Sequence, residues 1–124
     1  MSKEVLYIFI GGGAGSVLRY AAQVLLHERI VPYHFPWSTL CVNLVGSFLI
    51  GLFYAFSERW QLSTEARLFL TAGVCGGFTT FSTFSNDGLA LLKDGFYGTF
   101  ALYVVASVGS GLIAALAGGY VGSR

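Results

Sequence analysis

The sequence predicts an all-α membrane protein with four transmembrane helices. Three observations carry that expectation. The 124-residue chain is 55% hydrophobic and only 10% charged, where an ordinary soluble domain carries roughly 25% charged residues. Its mean hydropathy is +0.70. Its few charges gather at intervals, and the stretches between them match the roughly 20 residues that take a helix across ~30 Å of hydrocarbon. A soluble chain this small could not cover its surface with so few polar groups, whereas lipid tails solvate apolar side chains.

The first stretch, Val5 to Leu26, holds one charge, Arg19, and is followed by His27-Glu28-Arg29. Lys3 ahead of an apolar run resembles the start of a secretion signal. Arg19 interrupts that run and the rest of the chain is equally apolar, so the segment reads as a first span. Pro32 and Pro36 then mark where one helix stops and the next begins. Trp37 to Ser57 has no charge, and Trp37 and Trp60 fall near its two ends, where interfacial tryptophans belong. Glu58, Arg59, Glu65 and Arg67 separate it from the uncharged run Leu68 to Asn86, and Lys93-Asp94 precede the uncharged run Gly95 to Ser123. The spans are expected at about 5–27, 37–57, 68–92 and 96–122. Lys3, Arg59, Arg67 and Arg124 share one side and Arg29 and Lys93 the other. The positive-inside rule puts the termini in the cytoplasm by a small bias, compatible with insertion in either direction.

Several function classes fall away. With a net charge of +1 there is no basic face to neutralise a phosphate backbone, so no nucleic-acid partner is expected. Cys41 and Cys75 lie in separate apolar stretches without CxxC or Cys/His spacing and read as buried thiols. No Asp or Glu stands at the centre of a span, Asp87 being the deepest, which disfavours a proton-coupled carrier. No nucleophile–base pair, phosphate loop or metal-ligand cluster is present, so the chain is not expected to be an enzyme.

The third span is unlike the others. Gly76-Gly77 sits at its centre, followed by Phe78-Thr79-Thr80-Phe81-Ser82-Thr83-Phe84. Each glycine costs a helix roughly 1 kcal/mol relative to alanine, and β-branched threonines do little to compensate. The composition predicts a break near residues 76–80, whose freed carbonyls need protein, water or an ion and are natural cation ligands. The alternative is an intact helix whose threonines bond back to their own turn.

Phe78, Phe81 and Phe84 recur every three residues. On a helix they form a drifting stripe, which either packs against lipid or core or turns its electropositive ring edges to an anion path. Asn43 either glues helices together or lines a path with uncharged donors. Arg19 is the only formal charge deep in a span and either serves the site or snorkels to the interface. Small residues pair at helical spacing: Gly11 with Gly15, Ser47 with Gly51, Ser107 with Gly111 and Gly118 with Gly122. Such pairs permit close helix approach, within one bundle or between subunits.

Three strings carry a family resemblance: Gly11-Gly12-Gly13-Ala14-Gly15-Ser16-Val17-Leu18-Arg19-Tyr20, Asn43-Leu44-Val45-Gly46-Ser47-Phe48, and the run from Gly73 to Phe84. In order, spacing and total length the chain resembles the CrcB/Fluc family of fluoride channels. The resemblance implies a multi-pass protein of the inner (cytoplasmic) membrane. It would work as an antiparallel, dual-topology homodimer with two fluoride pores that export fluoride passively. It implies a structural Na⁺ at the dimer centre, held by the backbone carbonyls of Gly76 and Thr79. It implies a pore lined by Asn43, Phe81 and Phe84 with the hydroxyls of Thr80, Ser82 and Thr83, and a polar track of Tyr103 and Ser107 on the fourth span. Arg19 matches the family's first-span arginine. Gly111 stands where relatives can carry a further hydroxyl, so the far end of the track lacks it here. The runner-up is a small dual-topology proton-coupled exporter, for which Asp87 is the one candidate carboxylate.

Overall fold

The computed structural model describes residues 2–29, with side chains through Leu26, and residues 35–124. Pro32 and the side chains of His27, Glu28 and Arg29 lie outside the described residues. Among the described residues, four stretches are long and apolar enough to cross a membrane: Ser2–Leu26, Trp37–Trp60, Thr64–Lys93 and Tyr97–Gly122. The first helix, α1, runs Ser2–Arg29 and the second, α2, Trp37–Trp60. The third stretch is composite. It begins as α3 (Thr64–Leu68), passes through a π-helical segment (Phe69–Cys75) and ends its first half as the short α4 (Gly76–Phe78). Thr79 (φ −81°, ψ 157°) and Thr80 (φ −148°, ψ 113°) are extended, after which α5 runs Phe81–Lys93. The last helix, α6, spans Tyr97–Gly122.

Local chemistry explains the turns. Gln61 adopts φ 50° just past α2, and the Leu62 N–H reaches back to the Ser57 carbonyl at 3.1 Å. Ser63 then caps α3, its hydroxyl accepting from Ala66 N–H at 3.1 Å. At the end of α5 the Phe96 N–H bonds Leu91 O (2.9 Å) and the Gly95 N–H bonds Leu92 O (3.1 Å). This left-handed helix stop needs φ +82° at Gly95, which a residue without Cβ adopts at no steric cost.

The helices pack as two parallel pairs, set by glycines rather than by bulky side chains. In the first pair α1 lies along the third stretch. A Cβ on Gly11 would come within 2.6 Å of the Phe69 carbonyl oxygen, and one on Gly15 would collide with Val74 O. A Cβ on Gly77 would collide with Gly12 O. In the second pair α2 lies along α6: Gly51 abuts Ala115 O, Gly118 abuts Phe48 O and Gly122 abuts Leu52 O. With no hydrophobic drive between helices in lipid, this close backbone approach is what holds such pairs together. The spaced glycines of α1 and α6 are thus spent inside the chain.

A side-chain core sits toward one end, where Phe35, Leu91 and Tyr103 are buried and Leu40, Phe84, Phe96 and Phe100 pack against them. The Phe35 ring meets Tyr103 edge-on at 5.5 Å. Elsewhere large apolar side chains point outward, including Phe9, Val105 and Leu116, as expected where lipid is the solvent.

Candidate functional site

The two extended residues, Thr79 and Thr80, organise the site. In an unbroken helix the Thr80 N–H would bond the Gly76 carbonyl, four residues back. It instead donates to Asn43 Oδ1 at 2.8 Å, while Asn43 Nδ2 donates to the Thr80 carbonyl at 3.1 Å. One side chain of α2 thereby satisfies both backbone groups of a residue that is only 7% exposed. The pairing also settles which end of the amide is oxygen, since Thr80 N–H needs an acceptor and Thr80 C=O a donor.

The restart of the helix follows the same logic. Thr80 is the N-cap of α5, its hydroxyl accepting from Thr83 N–H at 3.1 Å. That N–H would otherwise serve the Thr79 carbonyl. Thr80 Oγ1 also donates to Thr83 Oγ1 (3.0 Å) and lies 3.3 Å from Ser82 Oγ. On the other side of the interruption, Thr79 turns both its N–H (3.0 Å) and its hydroxyl (2.9 Å) to the Cys75 carbonyl. The Thr79 methyl lies over Gly46, where a Cβ would collide with it. Arg19, reaching across from α1, donates from Nε to Gly77 O at 3.1 Å.

A cavity of about 380 Å³ opens beside these residues. Asn43, Ser47 and Ile50 of α2 line one wall, and Thr71, Cys75, Gly76, Thr79 and Thr80 another. Gly46 of α2, Phe81 and Phe84 of α5 and Ser107 and Val108 of α6 complete it. Phe81 is 77% exposed, and its ring lies 5.7 Å from that of Phe84, tilted by 41°. Ser107 Oγ is buried and has no hydrogen-bond partner among the described residues. No cluster of three His, Cys, Asp or Glu side chains exists among the described residues, and no carboxylate lines the cavity. Its polar surface consists of hydroxyls, an amide and backbone groups.

The family model for CrcB-like protein, Camphor Resistance (CrcB), matches residues 6–119. The chain belongs to the CrcB family. Relatives in it include a protein of Bacteroides fragilis, 61% identical over 98% of both chains, which is named fluoride-specific ion channel FluC. A FluC of Thermus thermophilus is 49% identical, covering 94% of this chain and 92% of its own. A FluC of Phocaeicola vulgatus is 47% identical, covering 94% of this chain and 95% of its own.

In this CrcB chain the residues singled out from sequence divide into three groups. Asn43, Gly76, Thr79, Thr80, Phe81, Phe84 and Ser107 meet around one cavity. Ser82 and Thr83 are not part of its lining and are tied to the Thr80 hydroxyl. Tyr103 is apart from the cavity lining, fully buried at 0% exposure, with its hydroxyl donating to Asp87 Oδ2 at 3.3 Å and its ring 5.1 Å from that of Phe84. Phe78 belongs to α4 and Phe81 and Phe84 to α5, so the three do not share one helical stripe. Gly46, Ser47, Thr71 and Cys75 were not predicted as site residues, Ser47 being read as a helix-packing residue and Cys75 as a buried thiol. Gly46 had a signal, standing three residues after Asn43 on the same face of α2. The π-helical segment had none in composition. It brings Thr71 and Cys75 into the cavity wall, a use of such segments that recurs at functional sites.

Proposed function

We propose that this protein is a fluoride-selective channel that exports fluoride passively, as a dual-topology antiparallel homodimer with two pores in the inner membrane. The observation that carries the reading is the cavity at Thr79–Thr80. Hydroxyls and an amide converge there beside two phenylalanine rings, without a carboxylate to repel an anion. Fluoride is small and strongly hydrated, so passage needs closely spaced donors that replace water and then release the ion. Ser107 Oγ, buried and unpartnered, is one such donor. The Asn43 amide retains a second N–H after serving Thr80. Phe81 and Phe84 contribute electropositive ring edges. Tyr103 serves from behind, holding the Phe84 ring from its own anchor on Asp87. The large exposure of Phe81 and Gly76 in one copy fits their being covered by a second.

The interruption of the third membrane helix is, in this reading, a functional element. It fits a structural Na⁺ held by the Gly76 and Thr79 carbonyls, because these two lose their helical donors. Thr80 N–H goes to Asn43 and Thr83 N–H to the Thr80 hydroxyl. Hard carbonyl oxygens suit a hard cation. When bound, Na⁺ supplies a fixed positive charge near the anion path.

Fluoride efflux from liposomes containing the purified protein tests the function, read with a fluoride electrode and repeated with chloride and with a proton uncoupler. Fast, electrogenic, fluoride-only efflux is the expected result. Efflux coupled to proton movement and abolished by Asp87→Asn would overturn the channel in favour of an exporter.

A further inference from the structure

Arg19 is the only formal charge deep within a span, and the fluoride reading leaves it without a task. Its position follows from the glycine face of α1. Residues 11, 15 and 19 recur at intervals of four, so they share one side of the helix. Gly11 and Gly15 bring the α1 backbone against Phe69, Val74 and Phe78. The next residue along that face therefore arrives beside the end of α4, where its Nε donates to the Gly77 carbonyl at 3.1 Å.

A helix that stops at Phe78 leaves its last carbonyls without intrahelical donors. Cys75 O is taken by Thr79, Gly77 O by Arg19, and Thr80 O by Asn43. Thr79 itself, Arg19 from α1 and Asn43 from α2 thus take three of the four carbonyls that flank Gly76 and Thr79, those of Cys75, Gly77 and Thr80. We propose that Arg19 is a positioning residue for the cation site: by capping Gly77 it keeps the chain interrupted and leaves Gly76 and Thr79 to face an ion. Without the cap, Gly77 O would be an orphan in a low-dielectric setting. The remedy nearest at hand is the Phe81 N–H, its partner in a continuous helix. Taking it would close the helix across Thr79–Thr80 and withdraw the two carbonyls. This assignment rests on the cation reading above.

The test separates hydrogen bond from charge. Gln places its side-chain N on the same carbon that bears Arg Nε, so Arg19→Gln keeps the donor and removes the charge. The whole protein is prepared in N-methylglucamine throughout and melted at increasing Na⁺, because an ion that binds the folded state raises its stability by mass action. The readout is the Na⁺ concentration that gives half the stabilisation. Arg19→Ala should raise it about tenfold or more, the effect of losing one charge-assisted hydrogen bond, and Arg19→Gln should stay within about threefold of the original. Equal displacement in both variants, or displacement in neither, overturns the assignment. If Arg19→Ala does not fold, Arg19→Met replaces it, filling similar volume without a donor; Met behaving like Gln overturns the assignment too. Unaltered protein that is indifferent to Na⁺ overturns the cation reading itself, and this assignment with it.

Discussion

Replacing Asn43 with alanine removes the one side chain that serves both backbone groups of Thr80. The two bonds measure 3.1 and 2.8 Å, and Thr80 is 7% exposed, so both are shielded from solvent in the folded chain. A buried polar group left unsatisfied costs about 1–3 kcal/mol, so the pair together is worth roughly 2–6 kcal/mol to this backbone geometry. Tenfold in an equilibrium constant corresponds to about 1.4 kcal/mol, so even the lower end shifts the equilibrium between this geometry and its alternatives by more than an order of magnitude. Fluoride efflux from liposomes should fall, with a lowered melting midpoint in detergent. Asn43→Asp keeps the acceptor for Thr80 N–H. It sets a carboxylate oxygen against the Thr80 carbonyl and a negative charge on the cavity wall, so it should also lose flux. Asn43→Ala with unchanged flux and unchanged melting would refute the reasoning, since it would mean that Thr80 does not depend on this amide.

Phe81→Ile or Phe84→Ile should reduce fluoride flux while the protein still assembles, as judged by gel filtration; unchanged flux in both would remove the ring-edge argument. Ser107→Ala should separate stability from function. Removing a buried hydroxyl without a partner among the described residues leaves the melting midpoint level or slightly raised, while flux drops if that hydroxyl meets the ion. Gly118→Val should disrupt the α2–α6 pair, because a Cβ there collides with the Phe48 backbone. The expected readout is loss of folded protein, whereas Gly109→Val, where a Cβ meets nothing within 4 Å, should be tolerated.

Much of the fold is visible in the sequence because the bilayer is a simple solvent. A helix in lipid must be apolar for about 20 residues, and charges must fall near its ends. The charge clusters at residues 58–67 and 93–94 therefore mark the ends of helices directly. Asn43, Phe81 and Phe84 stand out because polar or aromatic residues in such stretches are rare or patterned, Ser107 stands out only through the family resemblance, and the four meet around one cavity. The π-helical segment was not visible, since its backbone register depends on how α1 glycines seat against it. Nor was the burial of Tyr103 beneath Phe35 and Phe84, which depends on where the ends of the helices converge.

By itself the sequence determined what each segment is dissolved in, how many times the chain crosses, and that no carboxylate stands at the centre of a span. Only the tertiary structure decided which polar groups are spent and which remain available. Asn43 and Thr80 are 37 residues apart, and Arg19 and Gly77 are 58 apart. Local composition sets the energy of placing a residue in lipid. A hydrogen bond forms only between atoms brought within about 3 Å, and that proximity comes from the packing of helices on one another.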